Sequence, residues 1–231
     1  MYKDQVQAAK ILSELCSGRK IDTLFDRFLK EENNKNLIKD IVYGSVRDFY
    51  LNEYILKKFV KKDIKDQLIK YLLMNSIYQI NNQSKTEFTV VNEAVKAAKK
   101  INDNFYNLVN AVLRNFLREK NKFVTPDEMN IRYSYPQWWV SNIMKEYPND
   151  YEAILVIGNT RATTVIRINQ RQISFNDYID LLKQENIDYE LILGGQFIQI
   201  NNVKDITMLP GYEGGHFYVQ DPAAQLVCNF L

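Results

Sequence analysis

The chain has 231 residues, enough for one large or two small domains with a substantial core. Glycine (8) and proline (5) are scarce, which favours helices over a turn-rich all-β fold. The net charge of +2 hides an asymmetry. Residues 1–120 carry 22 Lys and Arg against 15 Asp and Glu, whereas residues 121–231 carry 8 against 13. We expect two units, with the basic one the better candidate for a polyanion partner, although a solvated lysine-rich surface explains the charge equally well.

Several classes of protein are not indicated by the sequence. Cys16 and Cys228 lie far apart, which indicates a reducing compartment without a disulfide framework. The single histidine, His216, cannot anchor a metal site, and no metal-ligand spacing occurs. The first residues, MYKDQ, lack the apolar stretch of a signal peptide, and no run approaches the roughly 20 apolar residues that a membrane span needs. We predict a cytoplasmic protein without metal or membrane, in which Cys16 is a small core residue.

Apolar residues recur at helical spacing throughout the first half. We predict an all-helical bundle with short loops. Asp4 and Asp22 are the predicted N-caps of the first two helices, and Gly44 interrupts the third, either for close packing or for a slight bend. The predicted helices cover residues 4–16, a segment from 22 onward, 34–60, 66–80, 87–101 and 105–118.

The helix at 105–118 is the most regular of these. Its large apolar residues follow the i, i+3, i+4, i+7 series through three turns. Asn110, Arg114 and Arg118 are four residues apart and stack along one edge. That edge is either a solvated face that caps neighbouring helix ends or a contact surface for RNA phosphates, which arginine forks suit.

The pattern changes character after residue 120. We read residues 121–135 as a linker, because Pro126 breaks any helix there. Pro136 then occupies the first turn of another helix. Trp138 and Trp139 are adjacent and cannot both face one core. One of them packs between the two domains, or the pair forms an exposed base-stacking platform.

Residues 136–231 are expected to form a small α+β unit. A β-branched strand spans 163–169, and a helix over 175–183 follows the N-cap Ser174. Gly194 and Gly195 separate two strands as a hairpin turn. A last strand leads into a helix capped by Asp221, with Pro222 at its first position.

The final helix carries an apolar stripe, formed by Leu226, Val227, Phe230 and Leu231. Such a stripe must be buried against something. We expect either a further domain beyond this chain or docking of the helix on its own α+β unit.

Several segments together resemble one family. In the first half these are 41–47 (IVYGSVR), 91–95 (VNEAV) and 108–114 (LVNAVLR). In the second half they are 135–140 (YPQWWV), 165–169 (VIRIN) and 215–226 (GHFYVQDPAAQL). In this order they resemble the amino-terminal part of the Sun/RsmB ribosomal RNA small-subunit cytosine-5 methyltransferases. The fold this implies is mostly α: a NusB-like RNA-binding bundle over 1–120, followed by the α+β unit.

The resemblance also implies a cofactor and a partner. The family uses S-adenosylmethionine in a later Rossmann-like domain and acts on small-subunit ribosomal RNA. The chain shows no strand, Gly-rich turn and helix of the cofactor-binding type, so we expect it to hold neither cofactor nor catalytic residues. Cys228 has the thiol that cytosine-5 methylation needs but lies outside the family's catalytic motifs, and we reject it as the nucleophile.

The expected role of this chain is therefore to bind RNA. The candidate contacts are Arg47, Arg114, Arg118, Arg161, Arg167, Asn169 and Arg171. For Arg167 a bond to the missing domain is an equal alternative. Two other classes stay open: a non-enzymatic NusB-like transcription or ribosome-assembly factor, and a helical protein–protein adaptor.

Overall fold

The computed structural model describes residues 2–82, 86–195, 197–203 and 205–227. It confirms a mostly helical fold followed by a small α+β unit. The first of two compact units ends at Asn159 and the second begins at Thr160. The first unit contains α1 (Tyr2–Cys16), α2 (Ile21–Leu29), α3 (Lys35–Arg47), α4 (Phe49–Phe59), α5 (Gln67–Asn82), α6 (Glu87–Ile101), α7 (Tyr106–Glu119), α8 (Met129–Arg132), α9 (Gln137–Glu146) and α10 (Tyr151–Gly158).

Helix α5 is the centre of the first unit. Every residue from 71 to 80 is buried, and α1, α3, α4, α6 and α7 all pack on this helix. A helix that is buried all round is apolar on every side, apart from polar groups that find internal partners. Gln79 meets this condition, since the Gln5 side-chain amide on α1 donates to Gln79 Oε1 at 2.8 Å.

A second, smaller core lies between α1, α2 and α3. Ala8 and Ile11 of α1 pack there, whereas Ala9 and Leu12 belong to the main core. Helix α1 therefore joins two clusters through adjacent positions on its surface. Its packed face ends before Cys16, which is exposed, so the prediction of a core cysteine is wrong.

The third predicted helix is two helices. The break falls at Asp48, between α3 and α4, and not at Gly44. Gly44 instead allows the close packing that was the other predicted option, because the Tyr78 ring of α5 lies where a side chain would be. The predicted caps Asp4 and Asp22 are also wrong, since both lie inside the first turns of their helices.

The segment after α7 is tied to the junction of α3 and α4. Ser134 Oγ accepts hydrogen bonds from the backbone N–H groups of Tyr50 and Leu51, at 3.0 and 3.4 Å, and so caps the start of α4. The Asn159 side-chain amide donates to the carbonyls of Arg47 and Tyr133, at 3.0 and 3.1 Å. The boundary between compact units therefore lies after α10, later than the predicted linker at 121–135. The predicted division into domains 1–120 and 136–231 stays a prediction.

The second unit contains a four-stranded antiparallel sheet and two helices. The elements are β1 (Thr164–Ile168), α11 (Phe175–Gln184), β2 (Tyr189–Ile192), β3 (Phe197–Ile200), β4 (Phe217–Val219) and α12 (Pro222–Leu226). The strands have the order β2-β3-β1-β4, and α11 packs its apolar face on Ile166, Ile168, Ile198 and Ile200.

Local signals explain the ends of these elements. Ser174 Oγ accepts from the Asp177 N–H and caps α11, and Asp221 Oδ1 accepts from the Ala223 N–H and caps α12, both as predicted. Gly194 and Gly195 have φ of 73° and 84° in the hairpin between β2 and β3. The predicted stripe residues Phe230 and Leu231 lie outside the described residues.

Tyr178 fills the core under this sheet. It is fully buried, its hydroxyl donates to the Pro210 carbonyl at 3.1 Å, and burial raises its pKa to about 12.

Within the part of the chain that the structure describes, none of the helices combines the length and apolar character that crossing a membrane requires.

The contact between α3 and α5 predicts that Gly44→Ala destabilises the fold. The new Cβ would overlap Tyr78 Cζ, so the helices must separate or the ring must move. We expect a loss of about 1–3 kcal/mol in the free energy of unfolding, measured in urea. In a Tyr78→Leu background the same change should be neutral or stabilising, because alanine is the better helix former. Additive losses in the two backgrounds would contradict the close-contact explanation.

The cap on α4 predicts that Ser134→Ala costs about 0.5–2 kcal/mol in the free energy of unfolding, because two N–H groups lose their acceptor. Thermal unfolding measures the loss. Ser134→Asn is the matched control, since asparagine keeps an acceptor and tolerates the φ of 56° at this position. Equal loss in both variants would show that the hydroxyl does not act as a cap.

Candidate RNA interface

Helix α7 has one buried and one exposed face. Val109, Val112, Leu113 and Phe116 are buried against the bundle. The side chains of Arg114 and Arg118 lie on the opposite, exposed face. Their outward position follows from the helical period of about 3.6 residues, because the positions of Arg114 and Arg118 fall on the side of α7 that faces away from its buried residues.

Each of these arginines is braced by an amide on its own helix. Arg114 Nε donates to Asn110 Oδ1 at 2.8 Å. Arg118 Nη2 donates to Asn115 Oδ1, an amide that is not one of the three residues of the predicted edge. Neither arginine forms an ion pair with a described residue. The guanidinium groups are thus oriented by neutral partners and keep their full positive charge for an anion.

Arg47 is in a different situation. It is half-buried in the last turn of α3, and its carbonyl accepts the hydrogen bond from Asn159. The next residue is Asp48, whose pKa is raised by desolvation, although the Arg47 charge and a hydrogen bond from Asn82 act to lower it. Since this carboxylate lies beside Arg47, the positive potential that Arg47 offers to a phosphate is weaker than that of the arginines on α7.

The strand arginines surround β1. Arg167 lies opposite Tyr218 in the pairing with β4, and its Nη1 donates to Gln220 Oε1 at 3.4 Å. Arg161 and Arg171 are exposed before and after the strand. The exposed Tyr218 ring beside Arg167 was not among the predicted site residues. The sequence signal that could have found it is the alternation of side chains along a strand, which puts Tyr218 on the same face of the sheet as Arg167.

Asn169 holds a loop. Its Nδ2 donates to the Gly215 carbonyl at 2.9 Å and to the Tyr218 hydroxyl at 3.3 Å, and its Oδ1 accepts from the Arg171 N–H at 3.3 Å. These bonds occupy the amide within the protein. An RNA contact by Asn169, which stays a prediction, would have to share them.

Much of the lysine charge in the bundle is used internally. Glu53 accepts from Lys70 at 2.7 Å and from Lys57 at 3.1 Å. Desolvation opposes ionisation of this carboxyl, but the hydrogen bonds from the two lysines hold its pKa below the usual value. Lys58 lies 4.7 Å above the Tyr54 ring and 5.1 Å above the Phe123 ring, in cation–π geometry. The high lysine count therefore overstates the charge that is available to a partner.

The two tryptophans of α9 are exposed. Trp138 is 63% exposed and Trp139 39%, and their rings meet edge to face at 5.6 Å. Exposed aromatic rings are what the base-stacking alternative requires. The interdomain alternative stays a prediction.

The described residues contain no group of three or more His, Cys, Asp or Glu side chains that could hold a metal ion. Cys228 lies outside the described residues. The arrangement that the structure does provide is electrostatic: oriented guanidinium groups on α7, and a second basic group around β1.

Two protein-family models match the chain. The NusB family matches residues 3–118, and the family described as "Methyltr_RsmF/B-like, ferredoxin-like domain" matches residues 135–206. The first match covers helices α1 to α7 nearly completely. The second contains β1, α11, β2 and β3, and the antiparallel order β2-β3-β1-β4 agrees with a ferredoxin-like sheet.

Curated relatives were also found. The "Probable ribosomal RNA small subunit methyltransferase B" of Coxiella burnetii (strain RSA 493 / Nine Mile phase I) is 31% identical over 206 residues, which cover 87% of this chain and 48% of the relative. The "Ribosomal RNA small subunit methyltransferase B" of Vibrio vulnificus (strain YJ016) is 30% identical over 204 residues, covering 84% and 47%. The chain spans about half the length of the curated relatives it matches.

A solved structure shares the fold. The crystal structure of PH0851 matches with a TM-score of 0.62 and 16% identity, covering 98% of this chain and 55% of that one. This likeness concerns the fold alone. The NusB match spans half of the chain, which therefore belongs to the NusB family; with the ferredoxin-like match and the curated relatives, the chain is similar to the amino-terminal part of the Sun/RsmB ribosomal RNA methyltransferases.

Proposed function

We propose that the chain is the RNA-gripping amino-terminal part of a cytoplasmic, S-adenosylmethionine-dependent methyltransferase that modifies cytosine at carbon 5 in small-subunit ribosomal RNA. The observation that carries the proposal is the exposed pair Arg114 and Arg118 on α7, inside a NusB-family bundle. The curated relatives are named ribosomal RNA small subunit methyltransferase B, which supplies the substrate class.

The bundle would act through phosphate contacts. A guanidinium fork can donate two parallel hydrogen bonds to one phosphate, and each phosphate neutralised releases counterions, which makes binding depend on salt. The amides of Asn110 and Asn115 hold the two forks in place before RNA arrives, and this lowers the ordering cost on binding. Shape and unpaired bases would then supply specificity.

The α+β unit would add a second contact region. Arg161, Arg167 and Arg171 flank β1, and the Tyr218 ring lies beside Arg167. A base that stacks on this exposed ring would place its phosphate within reach of the Arg167 side chain. Asn169 supports this arrangement by holding the loop at Gly215, from which β4 begins.

On this proposal, methyl transfer takes place in the half of the methyltransferase that corresponds to the part of the relatives this chain does not span. Cytosine-5 methylation needs a thiolate that attacks the ring and a bound S-adenosylmethionine, and the cofactor site should show a Gly-rich turn between a strand and a helix. The present chain would orient the RNA and leave the chemistry to that part.

A non-enzymatic NusB-like binding factor is the second candidate. The match of residues 3–118 to the NusB family favours it as much as it favours the methyltransferase. The ferredoxin-like match over 135–206 is what separates the two, because its family description refers to methyltransferases.

The phosphate role predicts that the double variant Arg114→Gln, Arg118→Gln weakens binding to small-subunit ribosomal RNA fragments. The slope of log affinity against log salt should fall by about 1.4 if each arginine neutralises one phosphate of a single strand. Fluorescence anisotropy over a salt series measures both quantities.

The matched control is Arg19→Gln with Arg27→Gln, because both of these arginines already pair with Glu14 at 3.2 Å. It removes the same formal charge and should change the slope little. An unchanged slope in a folded Arg114/Arg118 variant would contradict the assignment of these residues as phosphate contacts.

The division of labour predicts that this chain alone does not bind S-adenosylmethionine. Calorimetric titration should show no saturable heat, and the chain should transfer no labelled methyl group to RNA. A complete Sun/RsmB methyltransferase under the same conditions is the positive control. Saturable cofactor binding by this chain would overturn the placement of the cofactor site.

A further inference from the structure

A concave surface lies between α2 and α3, on other helices than the α7 arginines assigned to RNA above. It is an open groove with a volume of about 540 Å³. We call it the α2–α3 groove, and it is lined by Phe25, Asp26, Leu29, Lys30, Lys35 and Lys39.

The floor of the α2–α3 groove is apolar and aromatic. Phe25 and Leu29 are buried side chains of the small core that α2 and α3 share. The Phe25 ring meets the Tyr43 ring edge to face at 5.3 Å, and Tyr43 is 45% exposed. Lys35, Lys39 and Tyr43 follow one another at four-residue spacing on α3, so an exposed ring lies in line with two of the lysines.

The rim of the groove is positively charged. Three lysines and one aspartate line it, and none of these lysines forms an ion pair with a described residue. Lys39 Nζ lies 5.4 Å from the centroid of the Phe25 ring, which places an ammonium group over the aromatic floor. The carboxylate of Asp26 offsets one of the three charges.

A second concave surface of this bundle shows the contrast. It encloses about 270 Å³ and is lined by Glu53, Lys57, Asp63 and Lys70 among others. There Glu53 pairs with both lysines, so cations and anions balance. The α2–α3 groove combines an aromatic floor with uncompensated cations, which is the arrangement that suits an anionic ligand with a flat apolar part.

We propose that the α2–α3 groove binds one unpaired nucleotide of an RNA strand. The base packs against the Tyr43 ring and the apolar floor. The flanking phosphates accept hydrogen bonds from the ammonium groups of Lys30, Lys35 and Lys39. The inference rests on the proposed RNA-binding function and adds to it a site on α2 and α3 that is separate from α7. It favours RNA over an acidic protein segment, because an exposed ring beside a row of cations matches the alternation of base and phosphate.

The test is binding of a labelled single-stranded fragment of small-subunit ribosomal RNA over a salt series. The groove variant is Lys30→Gln, Lys35→Gln, Lys39→Gln. The matched control is Lys57→Gln, Lys96→Gln, Lys183→Gln, in which each lysine removed already pairs with a carboxylate. Tyr43→Leu removes the aromatic face and keeps an apolar side chain. All seven positions are exposed or half-buried, and circular dichroism checks that each variant folds.

The proposal predicts at least a tenfold loss of affinity in the groove variant, and a salt slope that falls by about 0.7 for each phosphate that the variant no longer neutralises. Tyr43→Leu should lose about fivefold or more in affinity with the slope unchanged, since stacking involves no counterion release. The control should keep both the affinity and the slope of the natural chain.

Four results would overturn the proposal in distinguishable ways. If the groove variant binds RNA as the natural chain does while the Arg114/Arg118 variant binds more weakly, the groove is not an RNA site and the proposed function stands. Equal losses of RNA affinity in the groove variant and the control show that net charge, and not this site, determines the affinity. A natural chain that binds no RNA removes both proposals. If a poly-glutamate peptide binds the natural chain but not the groove variant while RNA binding is unchanged, the groove is a protein-docking site.

Discussion

The burial of α5 on all sides is the constraint on which the helical unit depends. A helix without a solvent face can accept neighbours only where their surfaces match its own, so α1, α3, α4, α6 and α7 are all positioned against one element. Two contacts show how α1 and α3 fit against α5. The Gln5 and Gln79 amides pair across α1 and α5, and the Tyr78 ring occupies the space that Gly44 leaves on α3.

The surface chemistry follows from that packing. Because α7 buries Val109, Val112, Leu113 and Phe116, its arginines project outward with their charge intact. Because α2 and α3 share a small core with α1, their lysines line one groove, and Lys39 lies over the Phe25 ring. The lysines beside Glu53 are neutralised in place. Two regions with an excess of positive charge result, the arginines on α7 and the lysines of the α2–α3 groove.

Local patterns predicted most elements of this fold and the exposure of two residues of the candidate site. The helix predicted over 87–101 has the same bounds as α6, because its apolar period and its neighbours are unambiguous. The exposure of Arg114 and Arg118 follows from the period of α7. Features that depend on distant segments were missed: the break at Asp48, the cap that Ser134 places on α4, helix α10 with its continuous apolar run, and the hydrogen bonds that occupy Asn169. The lysines of the α2–α3 groove come from two helices and meet only in three dimensions.

The most direct test of the central claim is selective RNA binding by the natural chain. Its affinity for small-subunit ribosomal RNA fragments should be measured against an unrelated RNA of equal length, across a salt series. The account predicts selective binding that weakens steeply with salt, because oriented cations contact phosphates while unpaired bases supply the preference. Equal affinity for both RNAs, or none for either, would contradict it and leave the basic bundle as a solvated surface.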